Sequence, residues 1–242
     1  MTKLHRKELK QDEIREKVHD AVVGLSLHRT EIVYIITIIL AVGIIAFAWY
    51  YYENRQQEQS QKALGDALDK LQSQVGEQPN IPNAPKPAHS YKTEQEKYAD
   101  ALKDFEQIAQ QYGNTPAADM ARYQAGLCAF YLKDNGKAEQ YLKQSIRVSE
   151  KNILFYLSRE ALADLYNTMG KSEDAISVLK EAADRNKNVV PQETLLLKLG
   201  ESYTKAGKTK EATDTFQKIL DQYKESPVSY EAQMRLSEIK GK

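Results

Sequence analysis

The sequence predicts an all-α chain: one membrane-length apolar helix near the N-terminus, then an α-solenoid of about four helical hairpins with a C-terminal capping helix. Three observations predict it. The whole run from Ile32 to Tyr52, "IVYIITIILAVGIIAFAWYYY", contains no charged residue. From Thr93 onward apolar residues recur at spacings of three and four, and no useful length alternates with the period of two that strands require. Finally, Ala101, Ala138, Ala175 and Ala212 stand at a constant spacing of 37, and each is followed four positions later by a large apolar residue: Phe105, Leu142, Leu179 and Phe216.

Taken in order, residues 1–30 form a tail in which Ile14, Val18, Ala21, Val22 and Leu25 make one apolar helix face. Such a face suits a membrane surface or a partner. Residues 31–52 form a transmembrane anchor, with the bilayer contact at 32–52. At about 1.5 Å per residue, this helix spans about 30 Å, the thickness of the hydrocarbon core. Trp49, Tyr50, Tyr51 and Tyr52 supply one interfacial aromatic belt and Tyr34 begins another. A cleaved signal peptide is the rival reading, because Ala46-Phe47-Ala48 fits the small-x-small cleavage rule. Against it stand an n-region as long as the whole tail, with five acids in it, and the bulky aromatics that follow the cut. Lys and Arg number seven in residues 1–30 and three in residues 53–82. The positive-inside bias therefore places the N-terminus in the cytoplasm and residues 53–242 beyond the membrane.

Residues 53–75 continue the anchor as a first polar helix, which gains an apolar stripe at Leu64, Ala67, Leu68, Leu71 and Val75. Residues 76–92 hold Pro79, Pro82, Pro85 and Pro87, four of the seven prolines, and read as a loop. Residues 93–242 are the repeat array. Breaks are expected near Gly113-Asn114, residues 134–136, Lys151-Asn152, Gly170-Lys171, residues 186–190, Gly207-Lys208 and Glu225-Ser226.

Composition excludes several classes of function. Lys+Arg and Asp+Glu are both 34, so there is no basic field to attract nucleic acid. The single cysteine, Cys128, cannot form an internal disulfide. All four histidines (His5, His19, His28, His89) precede the array, leaving no imidazole there to activate Cys128 or to bind metal. Gly170-Lys171-Ser172 and Gly207-Lys208-Thr209 look like ends of a phosphate-binding loop, but Leu165 and Ser202 occupy the place of its first glycine. The structural reading is that each glycine ends a helix in a left-handed turn. Ser172 or Thr209 then caps the next helix, with Glu173, Asp174 and Glu211 in the first turns. No catalytic constellation emerges, no cofactor is implied, and the chain reads as non-enzymatic.

The repeat carries more than its alanines. Gly126, Ala163 and Gly200 stand twelve positions before three of them, and Pro116 and Pro227 lie three periods apart. Leu199-Gly200-x-x-Tyr203 and Leu162-Ala163-x-x-Tyr166, with Ala101/Phe105 and Ala212/Phe216, resemble helices A and B of the tetratricopeptide repeat family. The resemblance implies a right-handed solenoid. Small residues let paired helices approach, and the aromatic fills the groove between hairpins. The period exceeds the family's usual value of about 34, with the excess in helix B or the turn after it. In the first hairpin Leu64-Gly65-x-x-Leu68 looks like helix A, separated from its helix B by the proline-rich insertion. The helix from Pro227 is the cap, with Glu231, Arg235 and Lys240 facing water.

The family resemblance also implies a concave binding face from helix A positions. These are Met120, Tyr123, Leu127, Phe130 and Tyr131; then Leu157, Glu160, Asp164, Asn167 and Thr168; then Thr194, Leu197, Glu201, Thr204 and Lys205. Tyr123 and Phe130 either line a pocket or pack against the flanking hairpins. The Lys/Asn pattern with which some members clamp a C-terminal carboxylate is absent. Aromatic residues beside acids suit an extended apolar or basic protein segment.

In layout the chain is similar to the ancillary subunit of the bacterial Sec translocon. That resemblance implies a scaffold on the periplasmic face of the inner membrane, with the translocon, periplasmic chaperones or emerging chains as partners. Tyr112-x-x-x-Pro116-x-Ala118-x-x-Ala121-x-Tyr123-x-x-Gly126 also resembles junctions in outer-membrane assembly lipoproteins and in the division coordinator of the Tol–Pal system. The chain lacks their lipobox cysteine. A structural subunit of another envelope complex is a further reading.

Overall fold

The computed structural model of the chain describes residue 15 and residues 29–76 and 89–241. The amphipathic helix expected between Ile14 and Leu25 and the prolines at 79–87 lie outside the described residues. Among the described residues the chain is helical, and its nine helices are α1 (Arg29–Gln72), α2 (Glu94–Gln111), α3 (Pro116–Tyr131), α4 (Asn135–Ser145), α5 (Leu154–Thr168), α6 (Ser172–Arg185), α7 (Gln192–Lys205), α8 (Thr209–Gln222) and α9 (Pro227–Lys240). Two units divide the chain, one ending at Arg55 and the other beginning at Gln56.

The first unit contains the apolar part of α1, which is long and apolar enough to cross a membrane. Among the described residues its apolar side chains are exposed: Ile36 is 50% and Tyr34 71% exposed. Water would penalise so many uncovered apolar side chains, at about 25 cal/mol per Å².

In the second unit each helix from α2 onward packs on the next, and α3, α5, α7 and α9 also touch one another in series. That pattern is a solenoid of hairpins in which the A helices line a common face. The close approach within a hairpin has a steric cause. A Cβ on Gly126 would lie 2.7 Å from Cγ of Leu142, and one on Gly200 would lie 2.5 Å from Cε1 of Phe216. Phe216 thus packs on Gly200 inside its own hairpin and is fully buried in the core. Gly65 plays no such part, since it is exposed with open space around its Cβ position. Ser60, Leu64 and Ala67 are the buried residues of that helix.

Local signals set the helix ends. Thr115 and Ser226, each before a proline at the first helical position, cap α3 and α9 through their hydroxyls. The two joints three periods apart are therefore built alike. Asp134 caps α4, accepting from the Lys137 N–H at 3.1 Å. At the equivalent joints Lys171 and Lys208 occupy the cap and no side chain caps α6 or α8. Ser172 and Thr209 are the first helical residues instead of the caps expected from sequence. Gly170 and Gly207 end their helices at φ 73°, as a left-handed terminus requires.

The excess over the usual period is housed in turns. Connections 112–115 and 223–226 are short, whereas 146–153 and 186–191 are long. A satellite core of Phe155, Tyr156, Ala182 and Leu195 fills the space beneath the long ones. The Tyr156 hydroxyl donates to the carbonyls of Glu150 (3.0 Å) and Arg185 (3.1 Å), tying both turns together. Buried Arg159 lies 3.5 Å from the Phe155 ring centre and pairs with Glu181 at 3.1 Å.

The ends of the proline-rich insertion are joined. Val75 and Tyr91 form an isolated parallel bridge, and the Gly76 N–H donates to the Tyr91 carbonyl at 2.9 Å. Lys70 holds Asp100 (2.9 Å) and Asp104 (2.7 Å) of α2, while the Tyr91 hydroxyl donates to Asp100. These bonds fasten the C-terminal turns of α1 to α2.

Candidate groove on the helix A face

Helices α3 and α5 present side chains from successive repeats to one cavity of about 250 Å³. Tyr123, Leu127, Phe130 and Tyr131 come from α3 and its end; Leu157, Glu160, Ala161 and Asp164 come from α5; Lys198 reaches in from α7. Tyr123 and Phe130 each do both things considered for them. They pack on the core beneath and also line the cavity. Tyr131, 63% exposed, stacks on Tyr98 of α2 with ring centres 4.6 Å apart and planes 9° apart. That pair extends the aromatic wall past the edge of the cavity.

Other residues expected on this face lie elsewhere. Met120 is half-buried against the core and Leu197 is 7% exposed within it, and neither lines this cavity. Asn167 donates to the Ser202 hydroxyl at 2.9 Å, spending its amide on α7. Glu201, Thr204 and Lys205 line a separate recess of about 240 Å³ with Arg235 and Glu238 of α9. The sequence reading set Arg235 on the wet side of the cap. Its side chain is 41% exposed there and pairs with the Glu201 carboxylate of α7 at 2.9 Å.

Lys198 was not anticipated, yet a signal for it exists. Asp164 binds Lys198 at 3.1 Å, and Glu201 binds Arg235 at 2.9 Å. The two pairs have the same sequence separation. Asp164 and Glu201 stand one period apart, as do Lys198 and Arg235, so both pairs occupy the same two repeat positions. The corresponding pair one repeat earlier is apolar, Leu127 and Ala161. The helix A face therefore runs from an aromatic and aliphatic end at α3 to an ion-paired end at α9.

The electrostatics are shaped by burial. Burial pushes the Glu160 carboxyl above the ordinary carboxylate range; Lys198 opposes this and Asp164 adds to it. Burial, with Glu160, Tyr131 and Asp164 nearby, raises the Tyr123 phenol. Burial acts to lower Lys198, but Asp164, Glu201 and Glu160 together outweigh it and the ammonium is held above its usual value. Cys128 is 1% exposed, with its thiol pushed up to about 12 by burial, so it packs as a small apolar residue and is a poor nucleophile at neutral pH. Among the described residues no three metal-binding side chains converge.

A family model described as a tetratricopeptide repeat-like domain matches residues 30–241. A tetratricopeptide repeat protein of Parabacteroides merdae is similar in structure, with a TM-score of 0.55 and 15% identity over 76% of this chain and 61% of that one. So is a Podosopora anserina protein with nearly identical TPR-like repeats, with a TM-score of 0.52 and 16% identity over 60% of this chain and 79% of that one. At such identities the likeness is one of fold. No curated protein matches the sequence.

Proposed function

Because the chain belongs to the tetratricopeptide repeat-like domain family, we propose that it is a non-enzymatic adaptor whose helix A face holds an extended segment of a partner protein. One observation carries this reading: two successive repeats converge on a single aromatic-walled cavity, with Tyr123, Leu127 and Phe130 on one side and Leu157 and Glu160 on the other. Concave sites of this kind, largely apolar with a few polar groups, are where ligands bind in folded proteins. Repeat arrays offer them to extended chains.

The proposed place of action is the outer face of a bacterial inner membrane. Residues 32–52 would anchor the chain, and the lysine and arginine bias supports a cytoplasmic N-terminus. The layout shared with the ancillary Sec-translocon subunit makes translocon components, periplasmic chaperones and emerging polypeptides the partners to test first. A photoreactive phenylalanine analogue at Tyr123 or Phe130 of the full chain, activated in membranes and followed by mass spectrometry, tests the reading. Adducts with emerging chains, channel subunits or periplasmic chaperones are expected. Adducts with one stoichiometric membrane protein alone would mark a structural subunit instead, and adducts with Tol–Pal or outer-membrane assembly proteins would move the adaptor to that system.

A further inference from the structure

Glu160 stands out on the groove floor. It is half-buried, yet among the described residues no hydrogen bond or ion pair reaches it. The nearest ammonium, Lys198, is committed to both oxygens of Asp164, at 3.1 and 3.2 Å. Every other carboxylate lining the helix A face has a cation: Asp164 has Lys198, Glu201 has Arg235, and Glu238 has Arg235 at 3.6 Å. A carboxylate taken from water without a partner is costly, and folds commonly pair or neutralise such groups. Here the burial that raises its pKa is only partly opposed by the charge of Lys198, whose hydrogen bonds go to Asp164.

The surroundings specify what would compensate it. Tyr123, Leu127 and Leu157 share the cavity with Glu160. They form a sleeve for an aliphatic stem, and Tyr123 adds an aromatic ring beside it. A lysine or arginine is such a group: an apolar stem ending in a charge that hydrogen-bonds a carboxylate. The Tyr98–Tyr131 stack lies one step along the groove and suits an apolar or aromatic neighbour.

Building on the adaptor reading, we infer that the groove selects an extended partner segment carrying a lysine or arginine next to an apolar residue, with the cation seated on Glu160 between Tyr123 and Leu157. The Asp164–Lys198 pair then acts as the far wall. Its ammonium repels a misregistered cation and leaves Glu160 as the unclaimed acid.

The test uses the full chain in detergent micelles and fluorescein-labelled peptides Gly-Ser-Leu-Phe-X-Leu-Gly-Ser-Gly, with X as Lys, Arg, norleucine or Glu. Lys and Arg peptides should bind about ten- to a hundredfold more tightly than the Glu peptide, the scale of one charge-assisted hydrogen bond. Glu160→Gln should erase that preference, and Glu160→Lys should invert it. Folding is controlled by thermal melting. A raised carboxyl pKa favours the fold below the ordinary carboxylate range, and that advantage is lost as pH rises through the raised value. The Gln variant should therefore melt no lower than the parent at pH 7. Binding that ignores X but is lost in Tyr123→Ala overturns the cation inference and leaves the groove reading intact. Failure of all four peptides, together with no photo-adduct at Tyr123, overturns both.

Discussion

At the scale of single residues, the fold depends on where a methyl group cannot go. Gly126 and Gly200 occupy the same repeat position and face Leu142 and Phe216, but the two contacts differ in kind. A Cβ at 126 meets two branch atoms of buried Leu142 at 2.7 and 2.8 Å and its backbone N at 3.3 Å, whereas a Cβ at 200 meets three ring atoms of buried Phe216, all within 2.5 to 2.9 Å. Gly200→Ala is therefore expected to destabilise the array by about 1–3 kcal/mol, the usual scale of overpacking. Gly126→Ala should cost less. Urea unfolding followed by circular dichroism checks both; equal losses would mean the α7–α8 hairpin relaxes as easily as α3–α4. Ala163, the third member of this set, is buried with Leu179 at the matching position of α6, so the repeat position accepts a methyl there. The small residues were legible in the sequence because they recur. The sense in which the ring of Phe216 lies was not, since it depends on where the opposing backbone leaves room.

At the scale of elements, each hairpin turn repeats one hydrogen-bond pattern. The N–H of Asp134, Lys171 and Lys208 bonds back to the carbonyls of Ala129, Tyr166 and Tyr203 at 2.8–2.9 Å, closing α3, α5 and α7 alike. The preceding residue must be left-handed, and it is Gly170 or Gly207 in two turns but Lys133, at φ 63°, in the third. A side chain costs roughly 1–2 kcal/mol in that region, so Lys133→Gly should stabilise the chain by about 1 kcal/mol after the entropy that glycine gives the unfolded state. A rise in the urea midpoint with unchanged slope checks it. The sequence showed the breaks and the glycines because both are local signals. It did not show that Lys171 and Lys208 would occupy the cap positions, since the neighbouring Ser172 and Thr209 look like better caps. The backbone bonds that close the preceding helix decide the register of the turn. They place the hydroxyl residues one step inside the next helix.

At the scale of the whole molecule, the proposal joins an apolar helix to a binding array and predicts a topology. If residues 53–242 lie outside the cytoplasm, protease added to intact spheroplasts should remove them while leaving the N-terminal tail. Their survival would reverse the orientation, and with it the choice of periplasmic partners. The groove itself was half legible. Counting from the small residue of each repeat found Tyr123, Leu127, Phe130, Tyr131, Glu160 and Asp164, and the structure brings these to one cavity. The same count included Leu197, which the core claims, and omitted Lys198, which the cavity contains. A repeat position gives the side of a helix. Whether the side chain there meets water or a neighbour is set by the helix that follows.

The sequence by itself determined the period, the order of the helices, and the prolines, glycines and small residues that start, stop and narrow many of them. These follow from caps, glycines and a 3.6-residue repeat, which act within a turn or two of chain. Only the tertiary structure decided which side chains share a groove. Residues almost a full period apart, such as Asp164 and Lys198 or Glu201 and Arg235, meet because each A helix is laid beside the next by the packing of the hairpin between them. That packing also sets the rotation of every helix about its own axis. It is this rotation that pairs Asp164, buries Leu197 and leaves Glu160 without a cation of its own.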